Sequence, residues 1–222
     1  MLLPKKIPNG RFKEALSQAD LRFVVTSLSS KGTEADSLLH LLTDGGMRDV
    51  ILDNPKLREA LDKQKTPPTI SPELHFYLLL RPALKQAGLP SAQVAACVAE
   101  ALAAFPPAPR PGVHTSDYVE ALRQAKDYEW FGLSIELGNR ALILSGVYGE
   151  SIYNSKKGYT VAGLNYYENL GRGCYRAAST HQLAQEFALK QILVTLAEDF
   201  NKLRTVLQGM SELCRRVVEG KK

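Results

Sequence analysis

The sequence predicts an all-α protein, and three observations support this prediction. Apolar residues recur at helical spacing along most of the 222 residues, and no long stretch shows the strict alternation of a strand. A capping residue is followed by proline twice, at Asn54–Pro55 and Ser71–Pro72, as at helix starts. A heptad pattern runs through the C-terminal end. We therefore expect a multi-helix bundle with a long C-terminal heptad-patterned helix.

The first helices are predicted from apolar spacing and capping residues. An amphipathic helix carries Phe12, Leu16, Ala19 and Phe23. A variant capping box formed by Thr33 and Asp36 opens a second helix, which Gly45 and Gly46 are expected to stop. Asn54 caps a third helix.

Two further helices complete the N-terminal half. Ser71 caps a nearly all-apolar helix that closes at Gly88, and Pro82 within it is expected to produce a kink. Ser91 opens the next helix, in which Val94, Val98, Leu102 and Phe105 share one face.

The best boundary in the sequence is PPAPRPG at residues 106–112, because four prolines in seven residues favour an extended, stiff linker. The sequence thus predicts an N-terminal helical subdomain (1–105), this linker, and a C-terminal helical bundle (113–222).

The sequence of the C-terminal half predicts three longer helices. Thr115 or Ser116 caps a helix expected to run through Trp130 into the small-residue stretch GLSIELGNRALILSG, whose glycines indicate close approach of a neighbouring helix. Thr160 is expected to cap the next helix. The last helix carries the seam residues Leu189, Leu193, Leu196, Phe200, Leu203, Leu207, Met210, Cys214 and Val217.

Composition narrows the class of protein. Hydrophobic residues are 45% and charged residues 23%, as in soluble globular proteins. The beginning lacks the apolar core of a secretory signal, no stretch is suited to spanning a bilayer, and the three cysteines form no CxxC pair. These features predict a cytoplasmic protein without membrane attachment. The net charge of +5 is concentrated at the termini.

The segment YYENLGRGCYR, residues 166–176, does not have the pattern of a phosphate-binding loop, which requires a preceding strand. Its period is helical, with Tyr166, Leu170 and Cys174 on one predicted face. Cys174 and His181 share a predicted face, but seven residues of helix separate them by about 10 Å, too far for a nucleophile and its base. No metal-ligand spacing such as HExxH occurs, and no cofactor is expected.

Two groups of residues are predicted to bind a partner. Glu136 and Arg140, four apart in an apolar helix, are either a surface ion pair or a buried polar pair lining a cavity. The second group combines aromatic rings with cations and polar groups around the tyrosine-rich segment, which suits single-stranded nucleic acid, a small anionic ligand or a protein interface. Its members are Lys156, Lys157, Tyr166, Tyr167, Glu168, Arg172, Tyr175, Arg176 and His181.

The sequence indicates a non-catalytic helical interaction or regulatory protein that self-associates through the seam. One alternative is nucleic-acid binding through the tyrosine, lysine and arginine cluster. Another is a bundle that binds a ligand or catalyses a reaction where Glu136, Arg140, Tyr166, Glu168, Arg172 and His181 converge.

Overall fold

The computed structural model describes residues 7–29, 32–63, 70–106, 115–149 and 163–219. Within these ranges the chain is α-helical, with one short 3₁₀ helix and no strand. The predicted all-α multi-helix fold is confirmed. The predicted linker after residue 106 and the predicted cap Thr160 lie outside the described residues.

The chain divides into two compact units between Ala103 and Ala104. The first unit begins at Gly10. It contains the 3₁₀ helix Arg11–Ala15 and six helices, the last of which ends one residue past the division: α1 (Gln18–Leu28), α2 (Gly32–Leu41), α3 (Gly45–Leu52), α4 (Pro55–Lys63), α5 (Pro72–Gln86) and α6 (Ala92–Ala104).

Three predicted caps in the first unit are confirmed. Ser71 Oγ accepts a hydrogen bond from the Leu74 amide at 3.3 Å, and Ser91 Oγ accepts one from Val94 at 3.2 Å. Asn54 Oδ1 accepts from Lys56 at the start of α4. The first predicted helix, in contrast, is interrupted, because Ser17 and Asp20 form a reciprocal capping box that starts α1 afresh.

The prediction that Gly45 and Gly46 stop a helix is wrong. Both glycines lie in the first turn of α3, and the preceding residue, Asp44, is its N-cap. The carboxylate of Asp44 accepts a hydrogen bond from the Met47 amide at 2.8 Å. This acceptor satisfies an amide that the helix itself leaves unpaired.

The second unit contains the remaining helices. They are α7 (Thr115–Gln124), α8 (Asp127–Gly146), α9 (Leu164–Thr180), α10 (Gln182–Glu186), α11 (Lys190–Glu198), α12 (Phe200–Gly209) and α13 (Ser211–Glu219). Helix α8 is the centre of this unit, since α7, α9 and α12 all pack against it. The helix predicted to run through Trp130 is two helices, because the backbone is extended at Lys126 and has a positive φ of 45° at Asp127.

The single long C-terminal helix is divided into three. Asp199 and Met210 leave helical geometry, with ψ near zero at 18° and 9°. Aspartate favours caps over helix interiors, and Met210 follows Gly209, a poor helix former. Seven of the nine seam residues are buried, and Met210 and Val217 are half-buried. The described seam is therefore buried mostly within one chain.

Close approach at glycine explains how the second unit packs. A Cβ built on Gly138 of α8 would lie 2.7 Å from the Tyr175 ring of α9, and one built on Gly171 of α9 would overlap the Phe200 ring. Gly146 meets Leu207 of α12 in the same way, at 2.7 Å. The predicted role of the glycines in the stretch 132–146 as contact points is confirmed at Gly138.

In the first unit, one buried carboxylate organises the beginning of the fold. Glu100 of α6 is 6% exposed and accepts hydrogen bonds from the Gly10 and Phe12 amides, both at 2.9 Å. Ninety residues separate Gly10 from Glu100 in sequence. The contact fixes the segment that precedes α1 against the last helix of the unit.

A buried ion pair joins the α3–α4 turn to α5. Arg81 donates from Nε and Nη2 to the two oxygens of Asp53, at 2.8 and 2.9 Å, and from Nη1 to the Pro90 carbonyl. Lys85 adds a third donor to Asp53 at 2.6 Å. The charge of Arg81 is thus fully compensated.

Two helices end in the same hydrogen-bonded motif with different residues at its left-handed position. After α5, Gly88 has φ 76°, and the Leu89 amide reaches back to the Leu84 carbonyl. After α10, Ala188 has φ 56°, and Leu189 bonds to the Ala184 carbonyl. This is the Schellman arrangement, in which glycine is preferred because a left-handed backbone strains a Cβ.

Exchanging the two residues should therefore have opposite effects on stability. We expect Gly88→Ala to lower the free energy of unfolding by about 1 kcal/mol, and Ala188→Gly to raise it by about 0.5 kcal/mol after the added freedom of the unfolded chain is subtracted. Space is not the cause, since a Cβ on Gly88 meets nothing within 4 Å. Urea unfolding measures both, and a loss of stability in Ala188→Gly would contradict the interpretation.

Candidate functional site

The predicted site residues lie in the second unit but do not converge. Glu136 and Arg140 are on α8, six others are on α9, and His181 lies between α9 and α10. Lys156 and Lys157 are outside the described residues. Among the described residues, the side chains expected to line a common polar cavity engage different neighbours.

Glu168 and His181 have separate structural partners. Glu168 Oε1 lies 2.7 Å from Nε of Arg204 on α12, although the N–H does not point along this line, so the contact is an ion pair without an aligned hydrogen bond. His181 stacks on Trp130 with ring centroids 5.7 Å apart, and its Nδ1 accepts from the Leu183 amide. Both residues hold helices together.

Tyr175 is a core residue. Its side chain is fully buried, its ring covers Gly138, and its hydroxyl donates to Asn139 Oδ1 at 2.7 Å. It is therefore not available to stack on a base. Sequence reasoning missed Asn139, whose position three residues after Glu136 gives no signal of this partner.

The remaining predicted residues of α9 belong to one solvent-facing surface, which we call the α9 face. Tyr166, Arg172 and Arg176 lie on it together with Asn165, Asn169 and Gly173; Arg172 is half-buried and the other five are exposed. Tyr166 is 44% exposed, and its ring packs edge-on against Tyr167. Neither Arg172 nor Arg176 forms an ion pair with any residue that the structure describes.

The two glycines of GRG have different environments. Gly171 is buried against Phe200 and Ala141, whereas Gly173 is exposed and a Cβ on it would meet nothing within 4 Å. Packing within the chain therefore explains Gly171 and does not explain Gly173. A glycine inside a helix costs about 1 kcal/mol relative to alanine.

Arg140 is buried on the other side of the unit, between aromatic rings. It is 6% exposed, and its guanidinium carbon lies 4.8 Å from the Tyr118 ring centroid and 5.7 Å from that of Phe105. Its Nε is buried without a hydrogen-bond partner. The predicted pair with Glu136 does not form, since no ion pair within 4.0 Å joins the two side chains in the described structure.

Glu136 is half-buried one turn before Arg140. Burial raises the pKa of its carboxyl group, and the positive charge of Arg140 partly opposes that rise. The two groups thus influence each other through space without a direct contact.

The titratable groups most often used in covalent chemistry are withdrawn from solvent. All three cysteines are buried, and burial raises the pKa of Cys174 to about 11 and that of Cys214 to about 12. Such thiols are not nucleophiles at neutral pH. Burial, with the charge of Arg58, lowers the pKa of His75 to about 4, so its imidazole is neutral at pH 7.

Among the described residues, no three His, Cys, Asp or Glu side chains are grouped so that they could hold a metal ion. In the same part of the chain, no helix has both the length and the apolar character needed to cross a membrane. Comparison with known protein families, with curated proteins and with solved structures finds no match to this chain.

Proposed function

We propose that this chain is a non-catalytic helical interaction protein, and that the α9 face binds an acidic segment of a partner protein. The observation that carries the proposal is the pair of arginines, half-buried Arg172 and exposed Arg176, one helical turn apart and without an ion-pair partner among the described residues. Arginine is enriched at protein interfaces because its planar group binds carboxylates through two hydrogen bonds.

Gly173 supports the same surface. It lies next to Arg172 and one turn before Arg176. Because glycine has no side chain, the helix backbone between the two arginines is open to a partner. Because the chain itself does not use this space, the stability lost at an exposed helical glycine is best explained by a partner backbone that approaches there.

The charge of the α9 face selects the kind of partner. Two α9 faces packed against each other would place arginines opposite arginines, and like charges across an interface are repelled. Single-stranded nucleic acid would require a platform of aromatic rings, but Tyr175 is buried and the Tyr167 ring packs against Tyr166. Carboxylates one turn apart on a partner helix fit the arginine spacing best.

Site-specific photocrosslinking tests this function. A photoreactive amino acid replaces Asn169 in cells that express the chain, and adducts are compared with those of a variant that also carries Arg172→Glu and Arg176→Glu. We expect a protease-sensitive, nuclease-resistant adduct that falls at least tenfold in the charge-reversed variant. Mass spectrometry should place the crosslink in a segment rich in Asp or Glu.

The matched control places the same photoreactive group at Thr205, an exposed position on α12. This site should not give the adduct. An adduct that survives charge reversal, or one that nuclease destroys, would contradict the proposal, and the second result would assign the α9 face to nucleic acid.

A further inference from the structure

Arg140 is a buried charge without an ion pair among the described residues, and Glu136 one turn away acts on it only through space. Arginine stays protonated in proteins, and a buried ion is costly unless an opposite charge and hydrogen bonds compensate it. The contacts with Tyr118 and Phe105 supply cation–π attraction but accept no hydrogen bond from Nε along the guanidinium plane. The Nε of Arg140 is therefore a buried donor without an acceptor among the described residues.

The other buried arginine of the molecule shows what compensation looks like. Arg81 is 7% exposed, close to the 6% of Arg140, yet all three of its side-chain nitrogens donate, two of them to Asp53. Among the described residues, Arg140 Nε has no hydrogen-bond acceptor, and no carboxylate forms an ion pair with the guanidinium. The contrast indicates that Arg140 serves binding, whereas Arg81 serves stability.

We propose that Arg140 anchors a buried site for the carboxylate group of a small organic acid, with Tyr118 and Phe105 covering the guanidinium. A carboxylate matches the planar fork of arginine and receives two parallel hydrogen bonds from it. Its single charge balances that of Arg140. A phosphate near neutral pH carries about 1.5 negative charges and would therefore be repelled more strongly by Glu136 one turn away.

The helix that covers Arg140 is suited to letting a ligand enter. Tyr118 lies on α7, and this helix contains no fully buried residue. Displacing α7 would remove Tyr118, the nearer of the two rings that cover the guanidinium. The rings that line the site favour an acid with an apolar or aromatic body.

Thermal unfolding tests the proposal, with sodium benzoate as the probe and sodium chloride at equal ionic strength as the reference. We expect benzoate to raise the Tm of the wild-type chain in a saturable manner, by about 5–10 °C at one hundred times the Kd. Arg140→Met should abolish the rise. Glu136→Gln should lower the Kd at least threefold, because it removes a negative charge near the ligand.

The Tm values of the variants without ligand distinguish a binding role of Arg140 from a structural one. Replacing an unpaired buried ion with an apolar residue of similar volume is neutral or stabilising, so Arg140→Met should melt at or above the wild-type Tm. The matched variant Arg81→Met leaves Asp53 without its main partner and should melt at least ~6 °C lower.

Three results would overturn the site. They are the absence of any benzoate-dependent rise in the wild type, an equal rise in Arg140→Met, or a fall in Tm of Arg140→Met as large as that of Arg81→Met. Inorganic phosphate that raises Tm more than benzoate would overturn the carboxylate assignment. None of these measurements involves the α9 face, so they are independent of the proposed protein interaction.

Discussion

Gly171→Ala is expected to destabilise the protein by about 2–3 kcal/mol, although alanine is the better helix former. The added Cβ would overlap the Phe200 ring and lie 3.1 Å from the Ala141 Cβ. Phe200 is fully buried, so its ring cannot move aside without disturbing the core of the second unit. Chemical denaturation measures the loss.

Gly173→Ala is the matched control, two residues away on the same helix. Because its Cβ position is open, this change should raise the free energy of unfolding by up to ~1 kcal/mol. Adding Phe200→Leu to Gly171→Ala should recover part of the loss, since the smaller side chain makes room. If both glycines respond alike, the close approach of Phe200 is not what constrains Gly171.

Asp53→Ala is expected to lower the free energy of unfolding of the first unit by about 3–5 kcal/mol, because it leaves the buried guanidinium of Arg81 without its carboxylate partner. The Arg81 side chain is 8% exposed and has its main acceptor in Asp53, at 2.8 Å. The loss should appear as a lower midpoint in urea unfolding, followed by circular dichroism at helical wavelengths.

Asp62→Ala is the control for this change. Asp62 also pairs with an arginine, Arg58, but its side chain is 57% exposed, so the loss should not exceed ~0.5 kcal/mol. The double variant Asp53→Ala, Arg81→Met should be more stable than Asp53→Ala alone, since it removes the stranded charge. Equal losses for Asp53→Ala and Asp62→Ala would contradict a buried pair.

Features that depend on neighbouring residues were predictable from the sequence. Ser71, Asn54 and Ser91 cap helices because each side chain bonds an amide two or three residues ahead. Gly45 shows the limit of such reasoning, since glycine is accepted at both ends of a helix. The neighbouring Asp44, which caps α3, identifies Gly45 as part of a helix start.

Burial on α9 was harder to predict because the helical face was misjudged by about one residue. The sequence pattern placed Tyr166, Leu170 and Cys174 together, whereas the buried face includes Gly171, Cys174 and Tyr175. Glycine contributes no hydrophobic signal, so the contact point at Gly171 was invisible to apolar spacing.

Partners distant in sequence could not be predicted for the candidate site. The pairing of Glu168 with Arg204 and of Tyr175 with Asn139 depends on how α8, α9 and α12 pack. For the same reason Arg140, which spacing paired with Glu136, lies instead against Tyr118 and Phe105.

The hydrogen bonds from Gly10 and Phe12 to Glu100 bring together the two ends of the first unit. A domain whose two ends lie side by side can be inserted into a longer chain, or removed from it, without disrupting the fold. The first unit therefore has the end-to-end arrangement of an insertable domain, and Glu100 holds its two ends together.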